Sequence, residues 1–185
     1  MTTDTRYRVL LADPPWRFND KLPGPGRGAD KHYQTIETDG GITSFAIPEM
    51  ADDSVLFMWR VSAMVEDAYR VVRAWGFVPK TEIVWRKQTK NNKRHFGMGR
   101  IVRAEHETCI IATRGSPKVK NHNTRSVFDA VAVKKHSKKP AEFYDIIESL
   151  FDGPYVELFA RNKRIGWDSF GNELTTTKEE QDEDR

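Results

Sequence analysis

YRVLLADPPWRF, residues 7–18, decides the fold of this chain and its first candidate site. The apolar run before the acid has no polar interruption, which predicts a strand Tyr7–Asp13 that is buried on both faces, as in a parallel sheet. Pro14 and Pro15 then stiffen the backbone, because proline has a fixed φ and no N–H. The sequence therefore predicts a rigid turn that holds the Asp13 carboxylate and the Pro14 carbonyl toward one small space.

The side chains of this turn suit an aromatic ring that carries an exocyclic amine. Two fixed acceptors, on Asp13 and Pro14, match the two N–H donors of an NH₂ group. Trp16 offers a flat face on which a planar ring can stack. Accepting both N–H bonds favours a pyramidal nitrogen whose lone pair can attack an electrophile. The alternative is an ordinary rigid turn with a packed tryptophan, and we favour the functional interpretation.

The rest of the chain alternates predicted strands with predicted helices, which indicates an α/β fold with a mostly parallel sheet. In such sheets ligands bind beyond the carboxyl ends of the strands. We therefore expect the site where the first strand meets DPPW and the last predicted strand meets RNKR, residues 161–164. The further predicted strands are Val55–Val61, Glu82–Trp85, Thr108–Thr113 and Tyr155–Ala160; the predicted helices run from Ser62, as the cap, to about Trp75, and from Pro140 to Leu150.

The charge of the chain is concentrated in one block. Residues 86–140 contain fifteen Lys or Arg and three acids, a local balance of +12, although the net charge of the chain is +3. A block of one sign indicates a polyanionic partner, most commonly nucleic acid, and a solubilising surface is the alternative. The single cysteine, Cys109, cannot form an internal disulfide. With no signal-peptide pattern and no membrane-length apolar run, we expect a cytoplasmic protein.

Six blocks in order carry a family resemblance: YRVLLADPPWRF, HYQTIE, VLFMWRVSAMVEDAYRVVRAWGF, EHETCIIATRG, HSKKPAEFYDIIESLF and VELFAR…GWDSFGNE. Over residues 6–173 the chain resembles the DPPW-type, MT-A70-like N6-adenine methyltransferases. The resemblance implies a Rossmann-like three-layer fold in which the catalytic motif precedes the cofactor motif. It also implies methyl transfer from S-adenosylmethionine to the N6 amine of adenine in nucleic acid, with DNA favoured over RNA because of the small size of the chain.

The resemblance also assigns roles to individual residues. Asp13 and Pro14 would hold the target amine and Trp16 would stack on the base, so that the catalytic motif is Asp13, Pro14, Pro15 and Trp16. The substrate pocket would include Tyr33 and Glu107. Lys139 would pair with the carboxylate of the cofactor. The implied cofactor-binding residues are Asp13, Lys139, Phe159, Arg161, Asn172 and Glu173.

The expected organisation is a single methyltransferase domain, residues 1–173, with an acidic disordered tail at 174–185. Basic loops at 86–103 and 114–138 would grip the phosphate backbone, and they would serve equally to contact a partner subunit in a homodimer or heterodimer. No metal is expected, because the second His of a helical H-E-x-x-H pair is replaced by Ile110. Two alternatives to DNA methylation stay open: methylation of RNA, and a non-catalytic nucleic-acid-binding subunit.

Overall fold

The computed structural model describes residues 5–17, 36–97, 101–132 and 139–171. Two helices and seven strands are found there, together with a short turn at Thr38–Ile42 that has non-helical angles at Asp39 and Gly40. The elements in chain order are β1 (Tyr7–Ala12), β2 (Met50–Arg60), α1 (Val65–Ala74), β3 (Val78–Gln88), β4 (His106–Arg114), β5 (Val127–Val131), α2 (Glu142–Leu150), β6 (Tyr155–Leu158) and β7 (Trp167–Phe170).

The seven strands form one mixed sheet in the order β5-β3-β4-β2-β1-β6-β7. The pairings β1–β2, β1–β6, β6–β7 and β3–β5 are parallel, whereas β4 runs antiparallel to both of its neighbours, β2 and β3. The predicted α/β class with a mostly parallel sheet is therefore confirmed. Because β4 is reversed, its first residues lie at the end of the sheet where β2 and β3 finish.

Both faces of the sheet are buried, which explains the uninterrupted apolar strands. One core places Leu10 of β1 and Leu56 of β2 against α1, and the other places Leu11 and Phe57 against α2. Successive side chains of a strand point to opposite faces, so a strand between two helical layers needs apolar residues at every position. Each fully buried Leu or Phe contributes roughly 1.5–3 kcal/mol. The arrangement is a three-layer sandwich with one helix on each face.

Several element boundaries differ from the expectations. The predicted strand Glu82–Trp85 is the middle of a longer β3, which ends at Gln88, so the basic loop begins later than residue 86. The proposed cap Ser62 is wrong, because α1 begins at Val65 after Met64 and has no side-chain cap hydrogen bond. The strands β5 and β7 were not predicted. Each is an edge strand of four or five residues with one partner, too short for a clear hydrophobic period.

Some expectations fall outside the described residues. They concern Tyr33, Asn172, Glu173 and the acidic tail at 174–185, whose roles stay predictions. Among the residues that the structure does describe, none of the helices has the length and apolar character that crossing a membrane requires.

Candidate active site

The candidate site lies at the end of the sheet where β1, β2, β3 and β6 finish and β4 begins. β1 and β2 end here, and the reversed β4 begins here, with Trp85 of β3 paired with Glu107 and Trp59 of β2 paired with Cys109. Because β4 is antiparallel to its neighbours, the acid at its start is brought to the edge that carries Asp13. Sequence spacing alone gives no hint of this juxtaposition.

The DPPW turn is held by two backbone hydrogen bonds. The Trp16 N–H donates to the Pro14 carbonyl at 2.8 Å, and the Ile36 N–H donates to the Pro15 carbonyl at 2.9 Å. The Pro14 carbonyl therefore already accepts one hydrogen bond and keeps one lone pair for a ligand. Asp13 and Pro14 both line one cavity, and their role as acceptors for an amine stays a prediction.

Trp16 lies in the core. Its side chain is 2% exposed, and its Nε1–H donates to the Trp59 carbonyl at 3.1 Å. The ring therefore packs with the α1-side core, and Trp16 is also among the residues that line the cavity described below. This position does not fit the expected stacking of Trp16 on a base, because stacking needs an exposed ring face. The tryptophan instead ties the DPPW turn to the end of β2.

Lys139 lies between two carboxylates, and this is the central feature of the site. Its Nζ is 2.6 Å from Oδ2 of Asp13 and 3.3 Å from Oε2 of Glu107, and it lies over the ring of Trp59 at 5.3 Å. Burial lowers the pKa of the Lys139 ammonium, but Asp13 and Glu107 outweigh burial and the net shift is upward. The ammonium is therefore charged at neutral pH and holds the two acids together.

A second lysine completes the charge balance. Lys87, near the end of β3, lies 2.6 Å from Oε1 of Glu107, and each side chain is less than a third exposed. Burial raises the pKa of the Glu107 carboxyl, whereas Lys139 and Lys87 lower it, and the net pKa is below the ordinary value. Two cations thus face two anions. Lys87 was not predicted as a site residue, because residues 86–103 were expected to form a loop. A predicted strand that extended to Gln88 would have placed Lys87 near its end.

A cavity of about 240 Å³ opens at this edge and is lined by the charged cluster together with Trp59, Arg60 and Arg161. Arg60 is itself held by Glu82, whose Oε1 accepts its Nε at 3.2 Å and its Nη2 at 3.1 Å. A larger hollow of about 530 Å³ lies at the opposite edge, beside Arg8. Only the first cavity has buried charges converging on it, which is typical of functional sites.

Phe159, directly after β6, has an unusual backbone conformation. Its φ of 61° lies in the left-handed region, which costs a non-glycine residue energy and is common at functional sites. Its half-buried ring lies 4.9 Å from the ring of Phe45, centroid to centroid. Phe45 is an aromatic neighbour that the sequence reasoning did not select, because it lies in an irregular stretch before β2.

Glu157 of β6 is a buried acid without a charged partner among the described residues. It is 7% exposed, and its Oε2 accepts a hydrogen bond from the Tyr144 hydroxyl at 2.9 Å. Burial raises the pKa of its carboxyl to about 7, against the lowering effect of the Tyr144 hydrogen bond. This residue also escaped sequence reasoning, since it interrupts an apolar strand in the manner of an ordinary exposed position.

The site residues fit a ligand that contains a carboxylate, a positive charge and an aromatic base. Lys139 can pair with the carboxylate, Asp13 and Glu107 favour a positive charge, and Phe159 offers a ring face. The indole N–H of Trp59 is buried without a hydrogen-bond partner among the described residues. Across the same residues, no three His, Cys, Asp or Glu side chains are grouped so that they could bind a metal ion.

Comparison with known proteins identifies the family. Residues 7–173 match the family model of MT-A70. The chain is 31% identical over 175 residues to the N(6)-adenosine-methyltransferase catalytic subunit METTL3 of Homo sapiens, covering 91% of this chain and 28% of that protein. The N(6)-adenosine-methyltransferase MT-A70-like of Arabidopsis thaliana is 30% identical over 174 residues, which are 91% of this chain and 24% of that protein.

A third relative is closer in length. The Type II methyltransferase M.MunI of Mycoplasma sp is 28% identical over 193 aligned residues, which cover 94% of this chain and 80% of that protein. The chain thus spans about a quarter of the length of the plant and animal relatives and most of the length of M.MunI. The family model covers nearly all of the sequence, and the expected resemblance is confirmed: the chain belongs to the MT-A70 family.

Proposed function

We propose that this protein transfers a methyl group from S-adenosylmethionine to the exocyclic N6 amine of adenine in nucleic acid, with DNA as the first substrate and RNA as the alternative. One observation carries the proposal. Oδ2 of Asp13 is held by Lys139 at 2.6 Å, while Oδ1 accepts no hydrogen bond from the described residues. A fixed carboxylate with one oxygen unengaged, at the rim of a cavity, is suited to accept an amine hydrogen.

When bound, S-adenosylmethionine would supply a methyl group on a positively charged sulfur: the amine nitrogen would bond to the methyl carbon as the carbon–sulfur bond breaks, and S-adenosylhomocysteine would leave. Asp13 orients the amine so that its lone pair points at that carbon, and it stabilises the positive charge that develops on the nitrogen. The Pro14 carbonyl, which already accepts the Trp16 N–H, supplies its remaining lone pair to the second amine hydrogen. The nitrogen then loses its proton to solvent.

Lys139 has two tasks in this proposal. It holds Asp13 in place, and its ammonium is the natural partner for the carboxylate of the cofactor. Glu107 accepts hydrogen bonds from both Lys139 and Lys87, so the position of one lysine depends on the other. Phe159 and Arg161 would lie against the adenosine portion of the cofactor, and Arg161 lines the cavity.

Nucleic acid as the substrate is supported by the basic surface. Part of the basic block is used inside the protein, because Lys87 and Lys139 lie in the buried cluster and Arg86 pairs with Asp129. The exposed cations Lys93 and Arg94 follow β3 at the same edge as the cavity. They are therefore placed to contact phosphates around a target base.

DNA is placed first because the chain matches 80% of a type II methyltransferase and about a quarter of each N(6)-adenosine-methyltransferase. The test is expression in a bacterial host that lacks adenine methylation, followed by long-read mapping of N6-methyladenine. We expect a methylated motif with the wild type and none with Asp13→Ala. Asp152→Ala is the matched control, since Asp152 is exposed beside the opposite hollow and should leave methylation unchanged.

Two other results would redirect the proposal. Methyladenine in RNA with none in DNA would make RNA the substrate. Absence of methyl transfer to either polymer, with polymer binding unchanged in Asp13→Ala, would indicate a non-catalytic nucleic-acid-binding subunit.

A further inference from the structure

Three apolar side chains are exposed in the segment that leads from β3 to the cavity-lining residue Ala104, and the proposed chemistry does not use them. Phe96 is 56% exposed, Ile101 is 96% exposed and Val102 is 74% exposed. We call these three residues the rim patch. Exposing large apolar side chains together costs free energy, and such groups commonly mark a binding surface.

The backbone ties the segment that carries the rim patch to the wall of the cavity. The chain turns back after β3, where the His95 N–H donates to the Lys87 carbonyl at 3.1 Å. The Gly97 N–H then donates to the Ala104 carbonyl at 2.8 Å, and Ala104 lines the cavity. Gly97 and Ala104 thus form a backbone bridge, and Ala104 anchors it at the wall of the cavity. Phe96 directly precedes this bridge, and Ile101 and Val102 come between its two residues in the sequence.

Two exposed cations, Lys93 and Arg94, precede the rim patch. Arg94 is 77% exposed, and the acid Glu105 lies 3.8 Å from it. A partner that is both anionic and apolar fits this combination, and nucleic acid has both properties because its phosphates flank the flat faces of the bases.

We propose that the rim patch packs against nucleobases next to the target adenine, with Phe96 stacking on a base and Ile101 and Val102 filling the space beside it. The inference rests on the proposed function, because it assumes that nucleic acid reaches the cavity. The rim patch would thus contact the faces of the bases, in addition to the expected contacts of the basic loops with the phosphates. In a duplex, this contact would compensate for the stacking that the target base loses when it leaves the helix.

Binding measurements separate a base-stacking contact from a phosphate contact. The probe is a fluorescein-labelled, adenine-containing DNA oligonucleotide of about twenty nucleotides, used as a single strand and as a duplex. Affinity is measured by fluorescence anisotropy over a series of NaCl concentrations. We expect Phe96→Ala to weaken binding about ten-fold, with an unchanged slope of log affinity against log salt.

Three variants serve as controls. Phe96→Trp keeps an aromatic ring and should restore binding. Arg94→Ala removes a candidate phosphate contact and should reduce the magnitude of the salt slope by roughly 0.7–0.9. Val78→Ala removes an apolar side chain that is 57% exposed at the start of β3, away from the cavity. It should leave both the affinity and the salt slope unchanged.

A fluorescent base reports the contact directly. With 2-aminopurine placed beside the target adenine, wild-type protein should change the fluorescence of the probe, and Phe96→Ala should abolish that change at saturating protein. The inference is overturned if wild-type protein does not bind the oligonucleotide, if Phe96→Ala binds as tightly as wild type, or if it lowers the salt slope as Arg94→Ala does. It is also overturned if light scattering shows a dimer that Phe96→Ala dissociates while oligonucleotide affinity stays the same.

These results are independent of methyl transfer. A loss of affinity in Phe96→Ala, together with absence of methyl transfer by wild type, supports the rim patch and rejects the proposed catalysis. Methyl transfer that Asp13→Ala abolishes, together with wild-type affinity in Phe96→Ala, supports the catalysis and rejects the rim patch.

Discussion

The Nζ atom of Lys139 lies 2.6 Å from Oδ2 of Asp13, although the two residues are 126 positions apart in the sequence. Asp13 follows β1 and Lys139 precedes α2, so this ion pair joins the turn after the first strand to the second helix. Both side chains are at most 20% exposed. Ion pairs in such surroundings depend on both partners, because removing one leaves the other buried and unpaired. This dependence is the basis of the first prediction.

Lys139→Met should destabilise the protein by about 3–5 kcal/mol at neutral pH, since Asp13 and Glu107 would share the site without the bridging ammonium. Urea denaturation at pH 7 measures the effect, with Lys163→Met, at an exposed position, as the control. The deficit should shrink at low pH, because protonation of the Glu107 carboxyl removes one of the two negative charges. A loss below about 1 kcal/mol at pH 7, as for surface ion pairs, would show that the bridge does not stabilise the fold.

Lys87 and Glu107 should be energetically coupled. The single variants Lys87→Met and Glu107→Gln and the double variant form a thermodynamic cycle, and we expect a coupling of about 1 kcal/mol or more. The Arg86–Asp129 pair is the comparison, because those side chains are 50% and 36% exposed and their coupling should be smaller and weakened by salt. Equal couplings in 0.5 M NaCl would contradict the prediction.

Glu157 should make stability depend on pH. The pKa of its carboxyl is about 7 in the folded protein against an ordinary value of 4.5, so the folded state holds a proton that the unfolded chain releases. The stabilisation is complete below about pH 4.5 and is lost as the pH rises to about 7, a total of about 3 kcal/mol. Stability therefore falls over this window.

Glu157→Gln should remove that fall, because the amide is neutral at every pH and its oxygen still accepts the Tyr144 hydroxyl. Urea denaturation of wild type and variant between pH 4 and pH 8 measures the difference, which should grow with pH in favour of the variant. Glu142→Gln, at an exposed position in α2, should behave as wild type. Parallel stability curves for wild type and Glu157→Gln would refute the assignment.

Trp16 should act through stability. Trp16→Phe removes the hydrogen bond to the Trp59 carbonyl and should cost about 1–2 kcal/mol, whereas Trp16→Ala should cost about 3–5 kcal/mol through the cavity it leaves. The affinity of Trp16→Phe for an adenine-containing oligonucleotide should equal that of wild type, because the ring is covered. Weaker oligonucleotide binding without a loss of stability would support stacking on a base instead.

Much of the fold follows from local sequence. The apolar runs in β1 and β2 require burial on both faces. The periodic stripe of α2 predicts a buried face of Phe143, Ile146, Ile147 and Leu150, and all but Ile146, which is partly buried, are buried. The edge strands β5 and β7 could not be predicted, since each has few residues and is stabilised by one neighbour. Pairing between distant segments is decided by the whole sheet, so short edge strands carry little signal of their own.

The candidate site also depends partly on local sequence and partly on tertiary structure. The sequence by itself determined that a strand ends in a rigid acidic turn, because the positions of an acid and two prolines constrain the backbone locally. Only the tertiary structure decided that Trp16 packs inward and that Lys139 and Glu107 meet Asp13. For Glu107 the reason is the reversed direction of β4, which brings the start of that strand to the end of its neighbours; hydrogen bonds between distant strands set this direction, and no local pattern records it.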